Sequence, residues 1–294
     1  MEELLVEIYC DIDDFCKAFE EYWHSHLVSG GKSAIPKCAM SLSEIMTIVV
    51  YFHLSGLRTF KWYYNRQICE QLKDCFPKRL SYNRFVEVMQ SAIVPLTVYM
   101  ISKRLGKCKG ISFIDSTSIS VCHNKRISRN KVFDGIAKMG KTSVGWFHGF
   151  KLHLTVNDEG EILSLCITPG NVDDRDEKII MHLTKELFGK LFGDRGYISQ
   201  PLFEKLWDKN VQLITRIKKN MKNRLMDMCD KILLRKRAII ETVNDFLKNI
   251  CQIEHSRHRS TANFMLNMIS GLAAYSFLPK KHSLGIQKCA LFTA

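Results

Sequence analysis

The chain has 294 residues, 46% of them apolar and 25% charged, proportions that exclude a disordered or low-complexity protein. A formal net charge of +13 and a pI near 9.2 suit a polyanionic partner, through attraction to phosphates and release of their counterions. Its 11 cysteines are odd in number and form no CxxC pair, so reduced thiols in a cytoplasmic compartment are expected rather than a disulfide framework. The N-terminus, MEELLVEIYCDIDDF, is acidic and lacks the apolar core of a signal peptide. No stretch reaches the roughly 18–20 apolar residues of a membrane span. The nearest, 264–278, is interrupted by Asn267, Ser270, Gly271 and Ser276.

The region 1–108 reads as all-helical. Ser41 and Glu44 form an S-x-x-E capping box ahead of the apolar run 45–54, which Gly56 ends. A second helix is predicted over 59–72, carrying Trp62, Tyr63, Tyr64 and Arg66. Pro77 interrupts the pattern, Ser81 caps a third helix, and Pro95 falls within or between the last ones. Such helices could read DNA as a helix-turn-helix unit or simply pack as a bundle. From Lys109 the period changes. ISFIDSTSISV alternates as a strand does; FKLHLTV and EILSLCIT follow, separated by the hairpin signal Asn157-Asp158-Glu159-Gly160. The Gly-rich approach GKTSVGWFHGF, with Trp146 and His148, fits a DNA-contacting loop or an ordinary turn. A helix over 176–187, a short strand 190–193, a helix over 200–208, the strand VQLITRI and long helices from 231 complete the chain. The expected architecture over 109–294 is α/β, a mixed five-stranded sheet flanked by helices.

Three acids stand where chemistry could use them. Asp115 ends the apolar run ISFID, Asp194 follows the short strand in KLFGDRGY, and Glu241 lies in the helical stretch RKRAIIETVNDFLK. Two carboxylates at strand ends plus one from a helix meet the needs of a divalent-metal phosphoryl-transfer site. Hard cations take oxygen ligands, and two of them can hold the attacking and leaving oxygens. Plainer readings exist for each: a local turn with Ser116 or Thr117 for Asp115, and a DRG turn with positive φ at Gly196 for Asp194. For the helix the alternative is an ion-pair stripe, Arg237 with Glu241 and Asp245 with Lys248, although Arg before Glu is the less favourable order. Asp173, Asp174 and Asp176 are expected in a loop that caps the next helix, and Asp134 and Glu177 have weaker claims. His153 and Lys151 share a strand face and are candidates to line the site. The segment 216–237 carries nine Lys or Arg against Asp227 and Asp230, either a solvated face or a nucleic-acid contact surface beside Glu241.

In this order and spacing the residues resemble the DDE transposases of bacterial insertion sequences, over roughly 109–278. FIDSTSISV carries the first acid, HGFKLHLTVNDEGEILSLCITPGNVDDRD the block between the first two, and FGDRGY the second. The third falls in a helical signature of Tyr, two residues, Arg, three residues, Glu, six residues, Lys. Arg237, Glu241 and Lys248 keep its spacing, with Leu234 where the family has Tyr. The resemblance implies an RNase H-like catalytic domain in which Asp115, Asp194 and Glu241 are catalytic and bind two Mg²⁺ ions, with Mn²⁺ a substitute. It implies DNA contacts from Arg237 and Lys248, and the basic segment extends these to Lys236, Arg235, Lys218 and Lys219. Cleavage at element ends, strand transfer into double-stranded target DNA, a homodimer on DNA and a nucleoid-associated location follow in the same way. The competing readings are a nuclease or resolvase that only hydrolyses and a DNA-binding protein without chemistry. The helix signature weighs against the first and the presence of all three acids against the second.

Overall fold

The computed structural model describes residues 2–26, 38–143, 145–216, 226–255 and 258–284. The chain divides into two compact units. One comprises Met1–Arg104, Leu247–Glu254 and His258–Leu278; the other comprises Leu105–Phe246, His255–Arg257 and Pro279–Ala294. The ten described cysteines are all free.

The first unit is helical: α1 (Glu2–His26), α2 (Leu42–Phe52), α3 (Phe60–Trp62) continuing as a π-helical stretch Tyr63–Gln71, α4 (Tyr82–Val88), α5 (Ile93–Tyr99) and the later helix Thr261–Ser276. The capping box forms at α2, where Ser41 Oγ accepts from Glu44 N at 3.1 Å and Glu44 Oε2 accepts from Ser41 N at 2.7 Å. Pro95 sits in the first turn of α5, where no intrahelical N–H is required, so it does not end the helix. The run Tyr82–Arg104 is therefore continuous over 23 residues and, by length and composition alone, long and apolar enough to cross a membrane. The sequence, which left Pro95 within or between the last helices of the region, did not single this run out. Its Phe85, Val88, Ala92, Leu96 and Tyr99 are buried, as are Ile8, Ile12, Met46, Tyr63 and Tyr64 of the same unit. Tyr64 meets Phe85 at a ring-centroid distance of 4.6 Å, and Tyr63 and Tyr64 donate their hydroxyls to Ile48 O (2.9 Å) and Leu80 O (2.8 Å).

The second unit is built on a mixed sheet of six strands: β1 (Ile111–Cys122), β2 (Lys138–Lys141), β3 (Trp146–Asn157), β4 (Ile162–Pro169), β5 (Gly189–Gly193) and β6 (Val211–Thr215). β3 lies antiparallel to β1 along one edge, while β2 and β4 share its other edge; β5 is parallel to β1, and β6 to β5. The order β4-β3-β1-β5-β6 is the RNase H-like arrangement, and the five strands expected from sequence are present. β2 is an addition. Residues 146–149 of β3 extend past the end of β4, and Gly140 lets the chain approach closely, since a Cβ there would stand 2.3 Å from Gly170 O. The hairpin signal between β3 and β4 holds: Gly160 takes φ +74°, and Asn157 Oδ1 accepts from Glu159 N (3.0 Å) and Glu161 N (2.9 Å).

Helices α6 (Glu177–Leu183) and α7 (Gln200–Trp207) cover one sheet face, packing Ile179, Ile180, Leu183, Leu202 and Leu206 against Ile114, Leu191, Val211 and Leu213. On the other face Phe113 stacks on Phe192 at 5.5 Å, and α8 (Met228–Lys236) is tied to β5 by Lys190 and Asp230, 2.6 Å apart. The single long helix suggested around Glu241 is in fact two. Arg237 closes α8, its carbonyl accepts from Ile240 N at 3.1 Å, and α9 (Ala238–Asn249) begins at the next residue.

Candidate active site

Asp115 lies in β1 on the face that carries Phe113, opposite Leu154 of β3. β1 and β5 pair in parallel up to Phe113 and Phe192. Two residues further the same offset brings Asp115 level with Asp194, just beyond the end of β5. Adjacent strands lie about 4.8 Å apart, so register alone draws these two acids together. Gly193 leaves room for the turn that follows, because a Cβ there would press on Ile114 and Tyr197, each 3.2 Å away. That turn, Arg195–Tyr197, closes with Tyr197 N donating to Asp194 O at 3.0 Å. Gly196 does not take a positive φ, so the turn at Asp194-Arg195-Gly196 forms without the left-handed glycine expected under the plainer reading.

Glu241 comes from the first turn of α9. Arg237 Nη2 bonds Glu241 Oε1, while its Nη1 stands 3.9 Å from Asp115 Oδ1. Asn244, buried one turn beyond Glu241, donates to Asp115 Oδ2 at 3.3 Å. Arg237 Nη1 and Asn244 Oδ1 are both buried without a hydrogen-bond partner among the described residues. Burial raises the Asp115 carboxyl to about 6. Arg237 and the Ser116 backbone N–H oppose that rise, and Glu241 and Asp194 add to it. Glu241 and Asp194 thus both stand within electrostatic reach of Asp115. Tyr197 is buried beside them, its hydroxyl held well above its ordinary pKa by burial and then by Asp115 and Asp174.

Among the described residues no three His, Cys, Asp or Glu side chains stand close enough to hold a metal ion. Arg237 instead places a positive charge between Asp115 and Glu241. The donor chemistry nonetheless suits a hard divalent cation: carboxylate oxygens, with an unpaired amide oxygen on Asn244 beside them.

The other expected residues fall as follows. Arg235 and Lys236 are exposed on the last turn of α8, whereas Lys248 is paired with Glu254 at 3.1 Å. Lys218 and Lys219 lie outside the described residues. Leu234 is buried. His153 and Lys151 do share a face, but they oppose Ser116 and Ser118 and so point away from the Asp115 side of the sheet. His153 is fully buried, with Nε2 2.9 Å from Thr168 Oγ1. Burial lowers its pKa to about 4 against the nearby Asp174, with Lys151 assisting. Lys151 bonds Asp174 at 3.0 Å, Asp176 caps α6, Asp173 pairs with Arg175 at 2.9 Å and Glu177 with Lys205 at 2.6 Å. Asp134 is exposed. Sequence reasoning missed Asn244, although a signal existed: it is an amide three residues past Glu241, on the helix side where Ile240 and Val243 are buried. Tyr197 carried no such signal beyond its place in FGDRGY.

The family model described as Transposase DDE domain matches residues 105–261, more than half of the chain, and includes all three acids. Comparison with curated proteins gives no match. Among solved structures the chain is similar to the piggyBac transposase synaptic complex with hairpin DNA, at 8% identity and TM-score 0.44 over 92% of this chain and 72% of that one. It is also similar to the simian T-cell lymphotropic virus intasome in complex with PP2A regulatory subunit B56 gamma (15%, TM-score 0.27, 66% and 59%). A third is the Mos1 strand transfer complex (11%, TM-score 0.25, 89% and 84%). With those scores below 0.5, it is the family match that places the chain: it belongs to the transposase DDE domain family.

Proposed function

We propose that the chain is a DNA transposase that cleaves the ends of its insertion sequence and transfers them into target DNA. The observation that carries this reading is the setting of Asp115. It is a largely buried carboxylate within electrostatic reach of Asp194 and Glu241, flanked by an unpaired donor on Arg237 and an unpaired acceptor on Asn244. A phosphate oxygen can accept from Arg237 Nη1, and a cation or water can meet Asn244 Oδ1. Two Mg²⁺ ions, or Mn²⁺, held by Asp115, Asp194 and Glu241 would supply Lewis-acid charge to both ends of an in-line displacement.

The remaining work belongs to the chain itself. Asn244 fixes one oxygen of Asp115, and the β1–β5 register holds that carboxylate level with Asp194, so the oxygens are oriented before DNA arrives. In the free protein Arg237 neutralises Asp115 and Glu241; on DNA its guanidinium turns to the scissile phosphate, which it can grip with two parallel hydrogen bonds. Arg235 and Lys236, with Lys218 and Lys219, neutralise backbone phosphates and set position without reading sequence. Lys248 joins them only by releasing Glu254. Water attacks first, then the freed 3′-hydroxyl, and no Ser or Tyr nucleophile takes part. Two ends must be held together, which calls for a homodimer on double-stranded DNA, at the nucleoid in the cytoplasm.

The test combines the full-length chain, labelled element ends, plasmid and Mg²⁺. Cleavage followed by joining supports the proposal. Hydrolysis without joining identifies a nuclease or resolvase, and binding without cleavage a DNA-binding protein. Full cleavage by Asp115→Ala, Asp194→Ala or Glu241→Ala would overturn the site.

A further inference from the structure

A second concentration of charge lies at the far end of β1 and β3. Between these strands the chain carries Lys125, Arg126, Arg129, Lys131, Lys138 and Lys141 against one acid, Asp134. All six cations are exposed, and none is ion-paired among the described residues. Some exposed cations elsewhere have carboxylate partners, as Arg66 with Glu70, Arg84 with Glu87 and Lys205 with Glu177, and others such as Lys178 and Lys209 have none among the described residues. What sets this segment apart is six cations within 17 residues against one acid. Six unpaired cations crowded on one segment repel one another, and a row of phosphates relieves that repulsion.

Trp146 stands in this patch and is 58% exposed. It is held in place: Asn124 Nδ2 donates to Trp146 O at 2.7 Å, and Lys141, its cross-strand partner on β2, sets Nζ 5.6 Å from the ring centroid. The platform beneath is tight. A Cβ on Gly149 would stand 2.0 Å from Ile119 O, and Phe133 and Ala137 bury the connecting segment against the unit. An exposed indole offers a free π face, and a base can stack on it only where that base is unpaired. Alternation along β3 puts Trp146 on the same face as Leu154, hence on the face of Asp115. The eight residue steps from 146 to 154 span about 27 Å of strand, or about eight steps of duplex DNA.

We infer that this patch binds single-stranded DNA, with an unpaired base stacked on Trp146 and the flanking phosphates on Lys138, Lys141 and the cations of 125–131. The proposed transposase chemistry supplies only the identity of the polymer; the site stands on its own geometry.

The full-length protein is titrated with a labelled single-stranded oligonucleotide and with the matching duplex, over a salt series, in EDTA so that no strand is cut. Trp146→Ala is expected to weaken single-strand binding about five- to hundredfold and to leave duplex binding nearly unchanged. Trp146→Phe, which keeps a ring, recovers most of the loss. Changing Lys138→Gln and Lys141→Gln together lowers the slope of log K against log[salt] by about 1.4 for the single strand. Matched thermal melts separate lost binding from lost folding. The inference is overturned by single-strand affinity that Trp146→Ala leaves unchanged, by equal losses on single strand and duplex, or by an unaltered salt slope. If the binding results hold but the protein never cuts DNA in Mg²⁺, the transposase reading fails and this site stands. If it cuts and joins while Trp146→Ala binds single strands normally, only this inference fails.

Discussion

Asp115→Asn is expected to make the protein more stable and inactive in one step. Burial lifts the Asp115 carboxyl from 3.8 to about 6. Between those values the folded state keeps a proton that the unfolded chain has lost, so stability falls as pH rises. The destabilisation is absent below the unfolded value and complete above about pH 6, where a shift of this size corresponds to about 3 kcal/mol. That figure is an upper bound, because the side chain keeps 23% of its exposure and Arg237 stands 3.9 Å away. Substitution by the amide preserves shape and a partner for Asn244 while removing the charge. Urea unfolding in EDTA at pH 8 should therefore show the variant more stable by about 1–3 kcal/mol, and the gap should narrow as pH falls toward 4. Millimolar Mg²⁺ should stabilise the wild type and not the variant, since only a ligand bound to the folded state adds stability. DNA cleavage should be lost. A variant no more stable than wild type at pH 8, or a gap independent of pH, would refute the reasoning about burial; a variant that still cleaves would refute the role.

Leu234→Tyr, which restores the family's aromatic, places a larger side chain in a buried position and should cost about 1–3 kcal/mol. A melt at wild-type temperature together with tighter DNA binding would contradict this. For His153, burial depresses the folded pKa to about 4. Its contribution is thus fully present above the unfolded value near 6.5 and is lost as pH falls from there toward 4. Wild type should lose about 3 kcal/mol more than His153→Gln over that window, and parallel unfolding curves for the two would count against it. Gly149→Ala drives a methyl into Ile119 O, a backbone atom that cannot swing aside. A drop of about 1–3 kcal/mol or more in stability, with a matching loss of single-strand binding, is expected from melts and titrations; an unchanged Tm would mean β1 and β3 are not so tightly joined.

The parts of the fold legible in the sequence were those fixed by local chemistry. The Ser41 capping box, the Asn157–Gly160 hairpin and the strand in ISFIDSTSISV each depend on a few neighbouring residues, and each appears where expected, although burial along the strand does not strictly alternate. β2 was illegible because KMGK has no alternating apolar pattern; it pairs only because β3 outruns β4 and Gly140 permits contact. The interruption at Arg237 was hidden by good helix formers on both sides. For the site, Asp115 and Asp194 could be picked out by context, but their closeness depends on the β1–β5 offset, a long-range property. The same limit misled the placement of His153 and Lys151: the sequence shows that they share a face but not which face Asp115 uses, and only the pairing of Ser116 with His153 settles it.

β2 has a consequence of its own. Without it, residues 146–149 of β3 would present unpaired N–H and C=O groups next to the exposed Trp146, a template on which another chain could add a strand and begin to aggregate. β2 covers that edge and replaces it with one of four residues, KMGK, too short to recruit a partner and carrying a lysine at each end. Like charges on two copies then hold them apart. The exposed surface around Trp146 is in this way kept from sticking to itself, and the lysines proposed to grip phosphate are the ones that repel another copy.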